Sequence, residues 1–131
     1  MFSERAQPLA NEPKGIAAMS TEKLPDISER ELATRLASAA PPLVAEILAP
    51  QYFASGHLPG AVNLPLDGLT ENAARLLPSK SAEIVVYCAS ATCQNSHIAE
   101  RKLRSLGYQN VRVFAGGKAA WKDAGYQLVA A

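Results

Sequence analysis

Apolar residues follow two kinds of pattern, which alternate along the chain from residue 27 onward. Short apolar runs predict strands, and residues at helical spacing or good helix formers predict helices. The predicted strands cover 43–48, 61–64, 83–87 and 111–114, and the predicted helices 28–40, 50–55, 69–77, 95–106 and 118–124. Because strands and helices alternate with short connections, the pattern predicts an α/β fold with a mostly parallel sheet.

Capping and helix-breaking residues support these bounds. Ser28 with Glu31 three positions later is a capping-box pattern, which is typical of a helix start. Pro41 disfavours helical backbone at the residue before it, and Pro78 ends the third helix in the same way. Gly107 stands where a glycine commonly follows the last turn of a helix.

The first 23 residues lack sustained periodicity and contain two prolines among charged residues. We expect a flexible extension over 1–23 and one folded domain over 24–131. Met19 is a second possible translation start.

Composition excludes several classes of protein. The chain has 131 residues, of which 48% are hydrophobic, enough for one core. No apolar run reaches the ~20 residues that cross a bilayer, and the N-terminus lacks the apolar stretch of an export signal. We therefore expect a cytoplasmic protein without a membrane partner. The net charge of +1 gives no electrostatic reason to expect nucleic-acid binding.

The chain has only two cysteines and two histidines, so a structural zinc site would need carboxylates to complete it. Cys88 and Cys93 are five positions apart, which fits neither a Cys-x-x-Cys pair nor a zinc knuckle. We therefore predict neither a metal site nor a cofactor.

The segment after the third predicted strand holds the candidate chemistry. In parallel sheets, ligands bind where strands end and helices begin. Cys88 follows the strand at once, and the small residues 89–92 allow a tightly curled loop before the next helix. Inward-facing amides and the helix N-terminus would lower the pKa of such a thiol and stabilise a persulfide anion. An alternative is that Cys88 is only a small buried residue at a strand end.

Three sequence blocks carry a family resemblance: GHLPGAVNLPLDGL, VVYCASATCQNS and LRSLGYQNVRVFAGGKAAWKDAGY. Together they resemble a single-domain rhodanese over residues 27–129. The resemblance implies a three-layer α/β domain with a five-stranded sheet and helices on both faces. It also implies that Cys88 accepts sulfane sulfur as a persulfide and passes it to cyanide or a thiol. The implied active-site loop consists of Cys88, Ala89, Ser90, Ala91, Thr92 and Cys93.

The loop departs from the common family pattern because it contains no cationic side chain. Many rhodaneses have a basic residue at the position of Ala89 and an Arg or Thr at the position of Cys93. Many also have an Asp-Val-Arg sequence at the second strand, and its arginine is replaced here by Leu48. Anion stabilisation would then depend on backbone amides, on the Ser90 and Thr92 hydroxyls, and on Lys118 from a neighbouring turn. We expect weak thiosulfate:cyanide turnover and preference for a protein or low-molecular-weight persulfide donor. His97, expected to face solvent in the first helical turn, is a second possible modulator of the thiol.

Cys93 has two interpretations. It could attack an oxidised or persulfidated Cys88, which would form a disulfide or release sulfide. Alternatively, it is a half-buried residue in the first turn of a helix, with no chemistry.

Structural roles are predicted for several other conspicuous residues. His57 is expected to fix a turn by a hydrogen bond, and Gly116–Gly117 to form a tight turn near the loop. Trp121 is expected in the core, and Ser96 as a helix cap.

Two functions remain open at this stage. The first is a sulfurtransferase or persulfide carrier, with a sulfur-containing anion or persulfide as donor and a thiol or protein as acceptor. The second is a non-catalytic or redox-sensing module that uses the Cys88/Cys93 pair. A phosphatase-like site is disfavoured because Gln94 occupies the position of the arginine that would bind phosphate.

Overall fold

The computed structural model describes residues 22–130. The predicted N-terminal extension, apart from its last two residues, lies outside the described part of the chain, as do Met19 and residue 131.

Five helices and four strands alternate along the described chain. The strands are β1 (Leu43–Glu46), β2 (Val62–Asn63), β3 (Ile84–Tyr87) and β4 (Val111–Phe114). The helices are α1 (Glu29–Leu36), α2 (Pro50–Ser55), α3 (Leu69–Leu76), α4 (Asn95–Ser105) and α5 (Gly117–Asp123). Every predicted element is present, with bounds that differ by a few residues.

Helix α1 shows how local chemistry sets such bounds. The Ser28 hydroxyl accepts a hydrogen bond from the Glu31 amide, so the predicted cap is confirmed. The helix ends four residues before the predicted end at Ala40. Ser38 there donates its hydroxyl to the carbonyl of Arg35 at 2.6 Å, which satisfies one carbonyl at the end of the helix.

The strands form a parallel sheet in the order β2-β1-β3-β4. The prediction of five strands is not met within residues 22–130, where four strands pair. Beyond β4, the amide of Ile27 donates one hydrogen bond to the carbonyl of Val113 at 2.9 Å. Pro25 has no N–H to donate and α1 begins at Glu29, so this segment is too short for a ladder.

Helices cover both faces of the sheet, which confirms the three-layer architecture. Alternate residues of β3 point to opposite faces. Ile84 and Val86 pack in a core cluster with residues of α3 and α4, and Val85 and Tyr87 in a second cluster with residues of α1 and α5. Trp121 is 4% exposed in this second cluster, so its predicted place in the core is confirmed.

The topology places one strand end in a special position. Strand β3 is paired on both sides, so its carboxyl end lies between the ends of β1 and β4. This is the edge at which parallel α/β sheets bind ligands.

Candidate active site

Cys88 is the first residue after β3 and is 1% exposed. Two hydrogen bonds join its neighbourhood to Ile47, the residue after β1. The amide of Ile47 donates to the Tyr87 carbonyl at 2.9 Å, and the Asn95 side chain donates to the Ile47 carbonyl at 3.1 Å. The end of β3 and the start of α4 are therefore both held by Ile47, and the loop between them has fixed ends.

Residues 89–93 form a compact turn between these ends. The amide of Cys93 donates to the carbonyl of Ser90 at 3.1 Å, and the hydroxyls of Ser90 and Thr92 lie 3.1 Å apart. Ala89, Ala91 and Thr92 are exposed. In this conformation the two hydroxyls that were predicted to stabilise an anion bond to each other.

Cys93 is joined to Cys88 by a disulfide, with a Cα–Cα distance of 6.4 Å. The Cys88 sulfur also lies 3.4 Å from the Cys93 carbonyl oxygen and 3.7 Å from the Ser96 hydroxyl. Cys93 is half-buried, as its structural interpretation expected, but it is a loop residue two positions before α4 rather than a residue of its first turn. The structure thus describes the site in its oxidised form.

The beginning of α5 packs directly against the loop backbone. The amides of Lys118 and Ala119 donate to the carbonyls of Cys88 and Ala89, each at 3.0 Å. Gly117 has φ +64°, and a Cβ at this position would lie 2.4 Å from the Cys88 carbonyl oxygen. Only glycine allows this backbone and this close approach. The predicted tight turn at Gly116–Gly117 is confirmed, and it fixes one side of the loop.

The Lys118 side chain pairs with a buried carboxyl that the sequence analysis missed. Its ammonium group lies 3.1 Å from Glu46 Oε2 and donates to the Tyr52 carbonyl at 2.8 Å. Glu46 is fully buried at the end of β1. Because Lys118 is held in this way, what it gives the loop in this structure is its backbone amide.

Tyr87 completes this buried network. Its hydroxyl donates to Glu46 Oε1 at 2.7 Å and accepts a hydrogen bond from the Leu58 amide at 3.0 Å. Burial raises the pKa of Tyr87 well above its ordinary value. The carboxyl of Glu46 therefore links the ends of β1 and β3 to the start of α5, directly beneath the loop.

Comparison with known proteins identifies the family. The profile of the rhodanese-like domain matches residues 28–124. The chain belongs to the rhodanese-like domain family. A solved relative, the rhodanese-like domain of the Alr3790 protein from Anabaena sp., superposes with a TM-score of 0.73 at 29% identity, covering 82% of this chain and 80% of that chain.

Curated relatives of this rhodanese-like domain include sulfurtransferases. A sulfurtransferase of Allochromatium vinosum is 30% identical over 105 residues, which are 80% of this chain and 94% of the relative. Thiosulfate sulfurtransferase PspE of Escherichia coli is 31% identical over 91 residues, covering 66% of this chain and 86% of the relative. Another relative is much longer, and the chain spans only 23% of its length.

The remaining predicted residues of the rhodanese-like domain have mixed outcomes. His57 Nδ1 is 2.8 Å from the Phe53 carbonyl oxygen, and the imidazole ring stacks on the Phe53 ring. The predicted role of His57 in fixing a turn by a hydrogen bond is therefore confirmed. Ser96 is not the helix cap, because Gln94 occupies that position and Ser96 is buried beside the Cys88 sulfur. His97 lies in the first turn of α4 and is half-buried rather than solvent-facing.

A cavity of about 300 Å³ adjoins the loop. It is lined by Ser55, Gly56, Ala89, Lys118, Ala119, Lys122 and Leu128. Of its two lysines, Lys118 is paired with Glu46. Within residues 22–130 there is no cluster of three or more His, Cys, Asp or Glu able to hold a metal, and no helix long and apolar enough to span a bilayer.

Proposed function

We propose that this rhodanese-like domain is a sulfurtransferase in which the Cys88 thiolate accepts sulfane sulfur and passes it on as a persulfide. The donor is a persulfide or a small sulfur-containing anion, and the acceptor is a thiol, a protein thiol or cyanide. The cycle requires reduced Cys88, which fits a reducing compartment such as the cytoplasm.

The observation that carries the proposal is the position of Cys88. It follows the internal strand β3 at the carboxyl edge of the sheet, at the start of a loop whose carbonyls are held by the amides of α5. The carbonyls of Cys88 and Ala89 are thereby fixed, and α4 begins just after the loop. Around the Cys88 sulfur the structure has the Cys93 carbonyl oxygen at 3.4 Å and the Ser96 hydroxyl at 3.7 Å. A sulfur anion on reduced Cys88 would be stabilised by the Ser96 hydroxyl, by loop amides and by the N-terminus of α4.

Thiosulfate is expected to be a poor donor. None of the loop residues 89–92 is cationic, and Lys118 is paired with Glu46. Each missing charge-assisted hydrogen bond is worth about 1.5–3 kcal/mol. The loss of one or two such bonds corresponds to a turnover of the dianion that is lower by about 10- to 10⁴-fold.

A second candidate function is a redox-sensing module that uses the same two cysteines without transferring sulfur. The disulfide between Cys88 and Cys93 favours it, because the bond forms within the loop. In this case oxidation of the pair would change the loop surface that a partner protein contacts.

Steady-state kinetics separate the two functions. Thiocyanate formation is measured with cyanide as acceptor and either thiosulfate or glutathione persulfide as donor, in Cys93→Ser, which cannot close the disulfide, and in Cys88→Ser. Sulfur transfer predicts a rate above background with the persulfide, a much lower rate with thiosulfate, and background rates in Cys88→Ser. Equal rates in both proteins would leave only the redox-sensing function.

A further inference from the structure

The far end of the loop carries a second sulfur that transfer by Cys88 alone does not need. We propose that Cys93 is a resolving thiol, which attacks the persulfide on Cys88 and releases the transferred sulfur as hydrosulfide. This inference rests on the proposed function, since it takes the Cys88 persulfide as its substrate. It adds a reduction to the proposed reaction, because sulfane sulfur is taken up and sulfide is released.

The geometry of the loop supports this role. The Cα atoms of Cys88 and Cys93 are 6.4 Å apart, within the 4.4–6.8 Å range in which disulfides usually form. The bond is made while β3 still extends to Tyr87 and α4 still begins at Asn95. The two thiols can therefore join within the loop, without loss of a strand or a helix turn.

The disulfide shows which sulfur Cys93 can reach. In it the Cys93 sulfur is bonded to Cys88 Sγ, which is the inner sulfur of a Cys88 persulfide. Attack at the inner sulfur breaks the bond to the outer sulfur and expels it, whereas attack at the outer sulfur would only move the persulfide to Cys93. Since the loop accommodates the disulfide that release produces, we assign release rather than relay to Cys93.

The step balances in atoms and electrons. The Cys88 persulfide anion and the Cys93 thiol give the Cys88–Cys93 disulfide and HS⁻, which carries away both the proton and the negative charge. A bond forms between the two cysteine sulfurs, and the bond between Cys88 Sγ and the outer sulfur breaks. The outer sulfur is reduced to sulfide, and the two cysteine sulfurs are oxidised to the disulfide.

A dithiol reductant then regenerates the site by exchange, and it becomes a disulfide in turn. Burial indicates which sulfur it attacks, because Cys88 is 1% exposed and Cys93 is half-buried. Attack at the more accessible Cys93 sulfur makes Cys88 the leaving thiolate. Cys88 is thereby ready for the next donor, and the external dithiol supplies the two electrons of each cycle.

The test is a single loading reaction with one equivalent of glutathione persulfide as the donor, whose leaving group is glutathione rather than sulfide. The full-length wild type, Cys93→Ser, Cys93→Ala and Cys88→Ser are reduced, freed of reductant and mixed with this persulfide, and sulfide is followed with an electrode. After a second desalting, free thiols and cyanide-labile sulfur on the protein are counted. Far-UV circular dichroism verifies that both Cys93 variants fold.

The wild type should release about one sulfide per chain above the Cys88→Ser background, lose both free thiols and retain little cyanide-labile sulfur. Both Cys93 variants should release at least about tenfold less sulfide and retain the cyanide-labile sulfur on Cys88. Sulfide release at the wild-type level from the Cys93 variants would overturn the inference, even if they carry cyanide-labile sulfur. Cys93 variants that hold no more of this sulfur than Cys88→Ser would instead refute the proposed sulfurtransferase itself.

Discussion

Replacement of Glu46 by glutamine tests whether the buried carboxyl beneath the loop holds the site together. Glutamine has nearly the same shape, and its amide oxygen can still accept the Tyr87 hydroxyl. The change removes the negative charge and leaves the Lys118 ammonium group, whose side chain is 13% exposed, beside a neutral group. Breaking a buried ion pair from one side costs about 3–5 kcal/mol. Because Lys118 keeps some access to water, we expect about 3 kcal/mol, the lower end of this range.

Urea unfolding measures this effect against a matched control. Glu83 forms an ion pair with Arg35, but the two side chains are 18% and 39% exposed. Glu83→Gln should cost at most about 1 kcal/mol, as exposed pairs do. With a typical slope of about 1–3 kcal/mol per molar urea, Glu46→Gln should lower the midpoint by about 1–3 M.

A double variant identifies the cause of the loss. Adding Lys118→Met to Glu46→Gln removes the charge that was left without its partner, so the double variant should be more stable than Glu46→Gln alone. The reasoning is refuted if Glu46→Gln and Glu83→Gln lower the free energy of unfolding by equal amounts, or if Lys118→Met gives no recovery.

Three further predictions concern the loop and its support. Ala89→Arg places a cation beside the loop and should raise kcat/KM for thiosulfate by about tenfold, the value of one charge-assisted bond, while Ala89→Met should not. Gly117→Ala forces a Cβ against the Cys88 carbonyl, so it should slow the alkylation of reduced Cys88 and lower the free energy of unfolding. Both effects should be larger than those of the control Gly125→Ala, because Gly125 also has a positive φ but a Cβ there would have nothing within 4 Å. Equal effects of the two glycine changes would contradict the close approach. Burial raises the pKa of Tyr87, so just above pH 10.0 the unfolded chain loses the phenol proton while the folded chain keeps it. The free energy of unfolding should therefore fall in that range by about 1.4 kcal/mol per pH unit because of this group. Urea midpoints against pH should accordingly fall less steeply in Tyr87→Phe, and identical slopes would contradict the raised pKa.

The position of the candidate site could be predicted from the sequence because its signals are local. A β-branched strand followed at once by Cys88, small residues and a helix start is enough to place the cysteine at a strand end. Gly116–Gly117 likewise predicted a tight turn, since few residues other than glycine adopt its backbone. The resemblance to rhodaneses then brought this turn and the loop together in one site.

The support beneath the loop could not be predicted because it joins residues distant in sequence. Glu46 and Lys118 meet only through the pairing of β1 with β3 and the packing of α5 against the loop. A carboxyl at the end of an apolar strand was a hint of a buried partner, but Lys118 was assigned to the anion site instead. The number of strands was overestimated because it came from the family pattern, whereas the strand ladder depends on the backbone around Pro25.

The most direct test of the central claim is the mass of the reduced Cys93→Ser protein after incubation with glutathione persulfide and removal of the donor. Without Cys93, the sulfur on Cys88 has no resolving thiol in the chain, so it should persist. The account predicts a mass increase of about 32 Da, one sulfur atom, that peptide mapping assigns to Cys88. An unchanged mass under saturating donor, with the protein folded and Cys88 reduced, would contradict it.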